Sequence, residues 1–185
     1  GQLGSGNSTH RSSPVQVGST SWSIISAGNS ISAAITSLGS LQTWGRNLAG
    51  QLGASTTTDR NAPAAVGTSS WTSVGVGVSS MIGVTSSNIV FVWGNNNLGQ
   101  LGLNDTVNRS SPTQLGSNLA GGMYQTVYPS PVIVNTYTTA SWVQVNAGNS
   151  YSVGIDNSGR LYAWGLNSTG QLGDGKIGRA HVCTP

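Results

Sequence analysis

Short apolar runs separated by clusters of Gly, Asn and Ser recur along this chain at a fixed interval. In the first unit the runs are Pro14–Val17, Trp22–Ser26, Ser30–Thr36 and Leu41–Trp44, each four to seven residues long. Runs of that length, rich in Val, Ile, Trp and Thr and bounded by turn formers, predict strands and hairpins. No window sustains the 3.6-residue apolar spacing of an amphipathic helix, so an all-β chain is expected. The interval is marked by tryptophan: Trp22, Trp71 and Trp142 each precede a Trp-Gly pair, at Trp44, Trp93 and Trp164, by 22 residues. The tetrapeptide Gly-Gln-Leu-Gly follows the same interval, at Gly1, Gly50, Gly99 and Gly170, in steps of 49, 49 and 71.

A fixed period of this size defines a repeat architecture. Four strands in about fifty residues is the content of one propeller blade. The periods run over 1–49, 50–98 and 99–169, with the next beginning at 170. The six tryptophans, with Gly45, Gly94 and Gly165 beside three of them, read as structural anchors, because a buried indole removes a large area from water. Gly39, Asn88 and Gly159 share one turn position, and all tolerate the positive φ of a tight hairpin. Gly28, Gly77 and Gly148 share another, expected where blades crowd towards a central axis and a side chain would clash.

Composition then narrows the function. Charged residues make up only 6% of the chain, against about a quarter in an ordinary globular domain. There is no Glu, and the single Lys is Lys176. Low charge with abundant Ser, Thr, Asn and Gly suits a secreted or virion surface. Before Lys176, five arginines face three aspartates and then Asp174, a near balance that gives no electrostatic footprint for nucleic acid. No run approaches the length of a membrane span.

The repeat collapses after Gly175. Pro14, Pro63 and Pro112 lead to a proline expected at 183, where Cys183 stands; Arg11, Arg60 and Arg109 lead to an arginine expected at 180, where Ala180 stands. Ile177–Pro185 resembles a translated short-read sequencing adapter, ATC GGA AGA GCA CAC GTC TGA ACT CC, with the TGA at Cys183. Residues 176–185 are therefore read as an assembly artefact of metagenomic type and set aside from the fold. The lone cysteine goes with them, leaving no disulfide, CxxC or thiol nucleophile to consider.

The phrases Ser40–Gly53 (SLQTWGRNLAGQLG), Val90–Gly102 (VFVWGNNNLGQLG) and Leu161–Gly173 (LYAWGLNSTGQLG) resemble regulator of chromosome condensation repeats. Arg11–Val17 and Trp142–Gly148 do so too. The resemblance covers residues 1–175 and implies a β-propeller, usually of seven blades. About three repeats are present, so an open arc of some three four-stranded blades is expected, with the remaining blades missing. The chain departs from the family at Ile31, Ser80 and Tyr151, where a His is frequent. It departs again at the hairpin Asp-Gly, which here is Leu38-Gly39, Ser87-Asn88 and Ser158-Gly159.

Candidate chemistry is sparse. The aspartates stand singly in turns and loops, and His10 has Asp59 and Asn108 as its periodic equivalents. That position is expected to serve loop hydrogen bonding rather than catalysis or metal binding, which need converging groups. Arg11, Arg60 and Arg109 are expected to tie down a long loop. No cofactor motif is present. One irregularity stands out: Pro112 and Trp142 are separated by 22 more residues than their counterparts. The insertion holds Met123, Tyr124, Tyr128 and Tyr137, a composition suited to recognition. The leading expectation is a non-enzymatic module whose exposed loops hold a protein or glycan partner. The alternatives are a guanine-nucleotide exchange or chromatin-binding factor, as the resemblance implies, and an accessory propeller of a larger enzyme or surface protein.

Overall fold

The computed structural model describes residues 1–115 and 142–173. Ten strands are present: β1 (Trp22–Ala27), β2 (Ile31–Thr36), β3 (Ser40–Gly45), β4 (Arg60–Val76), β5 (Ser80–Thr85), β6 (Val90–Gly94), β7 (Arg109–Gln114), β8 (Trp142–Ala147), β9 (Tyr151–Asp156) and β10 (Leu161–Gly165). Every pairing is antiparallel between neighbours in the chain. The result is an open arc of three blades, with no helix among the described residues.

Strand β4 carries the step from one blade to the next. Its first part pairs with β3, placing Ala64 and Ala65 opposite Thr43 and Gln42 as the outer strand of blade 1. Its second part pairs with β5, placing Val74–Val76 opposite Gly83–Met81 as the inner strand of blade 2. Strands β5, β6 and β7 complete blade 2; β8, β9 and β10 form blade 3. Pro63 and Pro112 lie on outer strands, where a missing backbone N–H costs no ladder bond on the open side.

Pro14–Val17 departs from expectation, since it is not a strand. Its counterpart Pro63–Val66 is one because β3 lies beside it; no such strand flanks Pro14 among the described residues. The hairpin positions behave as their residue types require, with φ of 82° at Gly39, 60° at Asn88 and 76° at Gly159.

Two apolar clusters fill the spaces between blades. Ile35 and Leu41 of blade 1 share the first with Val74, Val76 and Met81 of blade 2. Val84 and Val90 of blade 2 share the second with Val145 and Trp164 of blade 3. Within each blade the two tryptophans of the 22-residue spacing touch: Trp22 and Trp44 at 6.2 Å between centroids, Trp71 and Trp93 at 5.7 Å, Trp142 and Trp164 at 6.2 Å. Trp44, Trp71, Trp93 and Trp164 are buried, while Trp22 and Trp142 are half-buried.

Glycine sets how closely the blades approach. A Cβ on Gly28 would stand 2.0 Å from the Gly77 carbonyl oxygen, and one on Gly77 would stand 2.3 Å from that of Gly148. At Gly148 the obstacle is different, the ring of Tyr151.

Candidate functional site

The features that recur in this chain converge on the loop leaving the third strand of each blade. Gly45, Gly94 and Gly165 end those strands with φ of 109°, 100° and 109°. A Cβ there would press on the carbonyl oxygens of Ser30, Ser79 and Ser150, at 2.3, 2.5 and 2.6 Å. The Trp-Gly pair is thus a buried indole followed by a turn that only glycine enters without strain.

Two residues further on stands an asparagine, Asn47, Asn96 or Asn167, with no exposed surface. Its Oδ1 accepts the backbone N–H of Leu52, Leu101 or Leu172, at 2.8, 2.9 and 2.9 Å. Asn47 Nδ2 donates to the carbonyls of Thr56 and Thr58, and Asn96 Nδ2 to the carbonyl and Oδ1 of Asp105. The backbone N–H groups of Asn47 and Asn96 donate to Asp59 Oδ1 and Asn108 Oδ1, both at 2.8 Å. The position shared by His10, Asp59 and Asn108 therefore serves loop hydrogen bonding at its second and third members; His10 is exposed. The Gln of the last three Gly-Gln-Leu-Gly tetrapeptides folds back, Gln51 Oε1 accepting from Ala49 N–H, Gln100 Oε1 from Leu98 N–H and Gln171 Oε1 from Thr169 N–H.

These loops clamp the following blade. Gln2 O accepts from Trp44 Nε1 at 2.8 Å and from Ser32 Oγ. Gly53 lies over the indole of Trp93, and Gln100 O accepts from Ser152 Oγ of blade 3. Ser55 N–H donates to Ser110 O, binding the first inter-blade loop to the outer strand of blade 2.

The recurring arginines divide. Arg109 ion-pairs with Asp105 inside its own loop and donates to Val107 O. Arg11 is exposed beside a shallow hollow lined by Leu3, Ser5, Pro14 and Val15. Arg60 keeps one buried guanidinium nitrogen without a hydrogen-bond partner.

Asp156 gathers four donors around one carboxylate. Its buried carboxylate accepts the backbone N–H groups of Ser158 and Arg160, Arg160 Nε at 2.7 Å and Tyr162 Oη at 3.1 Å. Burial acts to raise its pKa, but these donors, Arg160 foremost, outweigh it and hold the carboxyl below its ordinary value. The hydrogen bond from Arg160 to this carboxylate raises the guanidinium pKa, and burial followed by the bond to Asp156 raises that of Tyr162. The group closes the β9–β10 hairpin, a task done by the hydroxyls of Thr36 and Thr85 at the same register in the other blades.

Met123, Tyr124, Tyr128 and Tyr137, and the tail 176–185, lie outside the described residues. Among the described residues no three of His, Cys, Asp or Glu come together as metal ligands, and no helix is long and apolar enough to cross a membrane. Sequence reasoning did not single out Asn47, Asn96 and Asn167; their identical placement three residues after the tryptophan of each Trp-Gly pair was the available signal.

Stacked antiparallel blades, two of four strands and a third with three among the described residues, each clamped by the loop before it, define a β-propeller repeat protein. Residues 87–128 and 158–185 match the regulator of chromosome condensation (RCC1) repeat, and residues 142–171 match a second description of the same repeat. The chain carries regulator of chromosome condensation repeats. Its fold is similar to that of Saccharomyces cerevisiae Prp20p, a protein studied with its binding to Gsp1p and histones. The two share 19% identity and a TM-score of 0.66 over 86% of this chain and 36% of that one. Yeast RCC1 (Prp20) bound to Kap60 gives 17% and 0.65, over 84% of this chain and 34% of that one. Human WBSCR16 gives 18% and 0.57, over 96% and 56%. The chain thus spans about a third of the length of the yeast structures. No curated protein sequence matches it.

Proposed function

We propose that this chain is a non-enzymatic interaction module that binds a protein partner through the loops leaving its blades. One observation carries this reading: on the loop leaving each blade a recurring asparagine is buried, and the residue after it varies and is exposed. Asn47, Asn96 and Asn167 are sealed inside, whereas the very next residues, Leu48, Asn97 and Ser168, face solvent. Leu98 and Val107 are exposed on the same loops. A rigid frame that presents variable side chains is the physical form of a recognition surface. The likeness to Prp20p, which binds Gsp1p and histones, and to yeast RCC1, which is bound by Kap60, supports a protein as the class of partner. The composition of the insertion bearing Met123, Tyr124, Tyr128 and Tyr137, which lies outside the described residues, supports a recognition role.

The test immobilises the chain and a Leu48→Asp/Leu98→Asp variant in parallel against proteins of the source organism, with quantitative mass spectrometry. A protein retained by the parent and lost from the variant is expected. Equal recovery on both, or retention confined to a glycan array, would overturn the reading. Accelerated nucleotide release from a small GTPase would move the function to exchange.

A further inference from the structure

The loops leaving blades 1 and 2 follow one plan, and a single difference changes what they do with their arginine. In the second loop Asn96 Nδ2 donates to the carbonyl and to Oδ1 of Asp105. That leaves Val107 O to accept from Arg109 Nη1, while Asp105 Oδ2 accepts from Arg109 Nη2. Arg109 thus finds two acceptors within its own loop. In the first loop the counterparts of Asn96, Asp105, Val107 and Arg109 are Asn47, Thr56, Thr58 and Arg60. Thr56 has no carboxylate to offer, and Asn47 Nδ2 bonds the carbonyls of Thr56 and Thr58 instead. Thr56 in place of an acid therefore removes both acceptors from the arginine. Arg60 Nη1 is left buried without a hydrogen-bond partner.

We propose that Arg60 binds a carboxylate brought by the protein partner, an Asp or Glu side chain that takes the place Asp105 holds in the second loop. This inference rests on the protein-binding reading of these loops. A buried donor left unpaired costs free energy that an incoming acceptor recovers, and a carboxylate matches the guanidinium fork. Thr56–Asp59 are exposed, so the place of the missing acid is open to solvent. Arg60 is half-buried, and its long side chain can turn Nη1 towards that opening. Asp59, its neighbour in sequence, directs Oδ1 to the Asn47 N–H, and no ion pair joins the two.

Two measurements on the 185-residue chain test this. The first needs no partner. Thr56→Asp gives the first loop the acid of the second, so it is expected to raise the melting temperature. The same substitution in the Arg60→Gln background is expected to give no gain. No rise, or an equal rise in both backgrounds, would overturn the proposal.

The second selects binders on the parent chain from a displayed random peptide library. Selected peptides are expected to be enriched in Asp or Glu. They are expected to lose about tenfold or more in affinity on Arg60→Gln and on Thr56→Asp, the factor for one charge-assisted hydrogen bond. Circular dichroism confirms that both variants remain folded. An empty selection, binders without acidic residues, or acidic binders held equally by Arg60→Gln would overturn the proposal. So would binders displaced by inorganic phosphate and not by acetate. Acidic binders retained by Leu48→Asp/Leu98→Asp and lost with Arg60→Gln would support the Arg60 site while removing the wider loop surface. A Thr56→Asp chain without thermal gain would remove the site and leave that surface standing.

Discussion

Trp71 and Trp93 meet edge to face, 5.7 Å apart with an interplanar angle of 62°, and both are buried. Phe91 adds a second edge contact to Trp71, also at 5.7 Å. The inner strand of blade 2 is thereby fixed to its third strand by aromatic contact across β5, which pairs with both. Trp93→Ala removes the largest side chain from this arrangement and leaves a cavity that its rigid neighbours cannot fill. A loss of about 3–5 kcal/mol is expected, measured by urea unfolding at constant slope. A loss below 1 kcal/mol would show that Trp93 is not a packing anchor.

Gly94 tests the turn after that indole. Its φ of 100° is one that side-chain-bearing residues seldom adopt, and an added Cβ would stand 2.5 Å from Ser79 O and 2.8 Å from Ser80 Cα. Neither backbone atom can withdraw without opening the β5–β6 pairing. Gly94→Ala is expected to destabilise by about 1–3 kcal/mol from overpacking alone, with positive-φ strain added. The contrast is Gly67, where φ is also positive but no atom lies within 4 Å of the added carbon. Gly67→Ala is expected to cost visibly less in the same unfolding assay, and equal costs would refute the packing account.

Blade content and spacing were legible from the sequence because the strand-forming runs and the tryptophans share one period. The hairpin residues Gly39, Asn88 and Gly159 announced their backbone geometry by residue type. Two things were not legible. Pro14–Val17 has the composition of Pro63–Val66, but a strand needs a partner, and composition does not say whether one lies beside it. Asp156 was indistinguishable from a solvated turn aspartate, because its donors are set by the fold and its counterparts Thr36 and Thr85 carry no charge. Recurrence itself obscured the site: a residue repeated in every blade reads equally as frame or as function. Burial separates the two, as Asn47 and Leu48 show.

Asn96 tests the frame beneath the exposed loop. Its amide joins Leu101 N–H to Asp105, linking the two ends of a loop that carries the exposed Leu98 and Val107. Asn96→Ala leaves the buried Leu101 N–H without that acceptor, a cost of about 1–3 kcal/mol for the orphaned group. Amide exchange at Leu101 should quicken more than exchange at Val92 in the neighbouring strand. Uniform quickening would instead indicate global destabilisation without a local role for Asn96.

The Asp156 hairpin makes a prediction about acid. The folded-state pKa of this carboxyl lies below its ordinary value, so ionised Asp156 contributes stability above the unfolded-state pKa. That contribution declines below the unfolded pKa and is lost as pH falls through the depressed folded value. Asp156→Asn keeps the shape but cannot lose a charge, and it presents one acceptor oxygen to four donors. The variant should therefore melt below the parent at pH 7, and the gap should narrow as the parent alone loses stability on acidification below about pH 4. Thermal melts between neutral and strongly acid pH measure both curves. Parallel curves across that range would show that Asp156 is not held ionised by Arg160 and the hairpin amides.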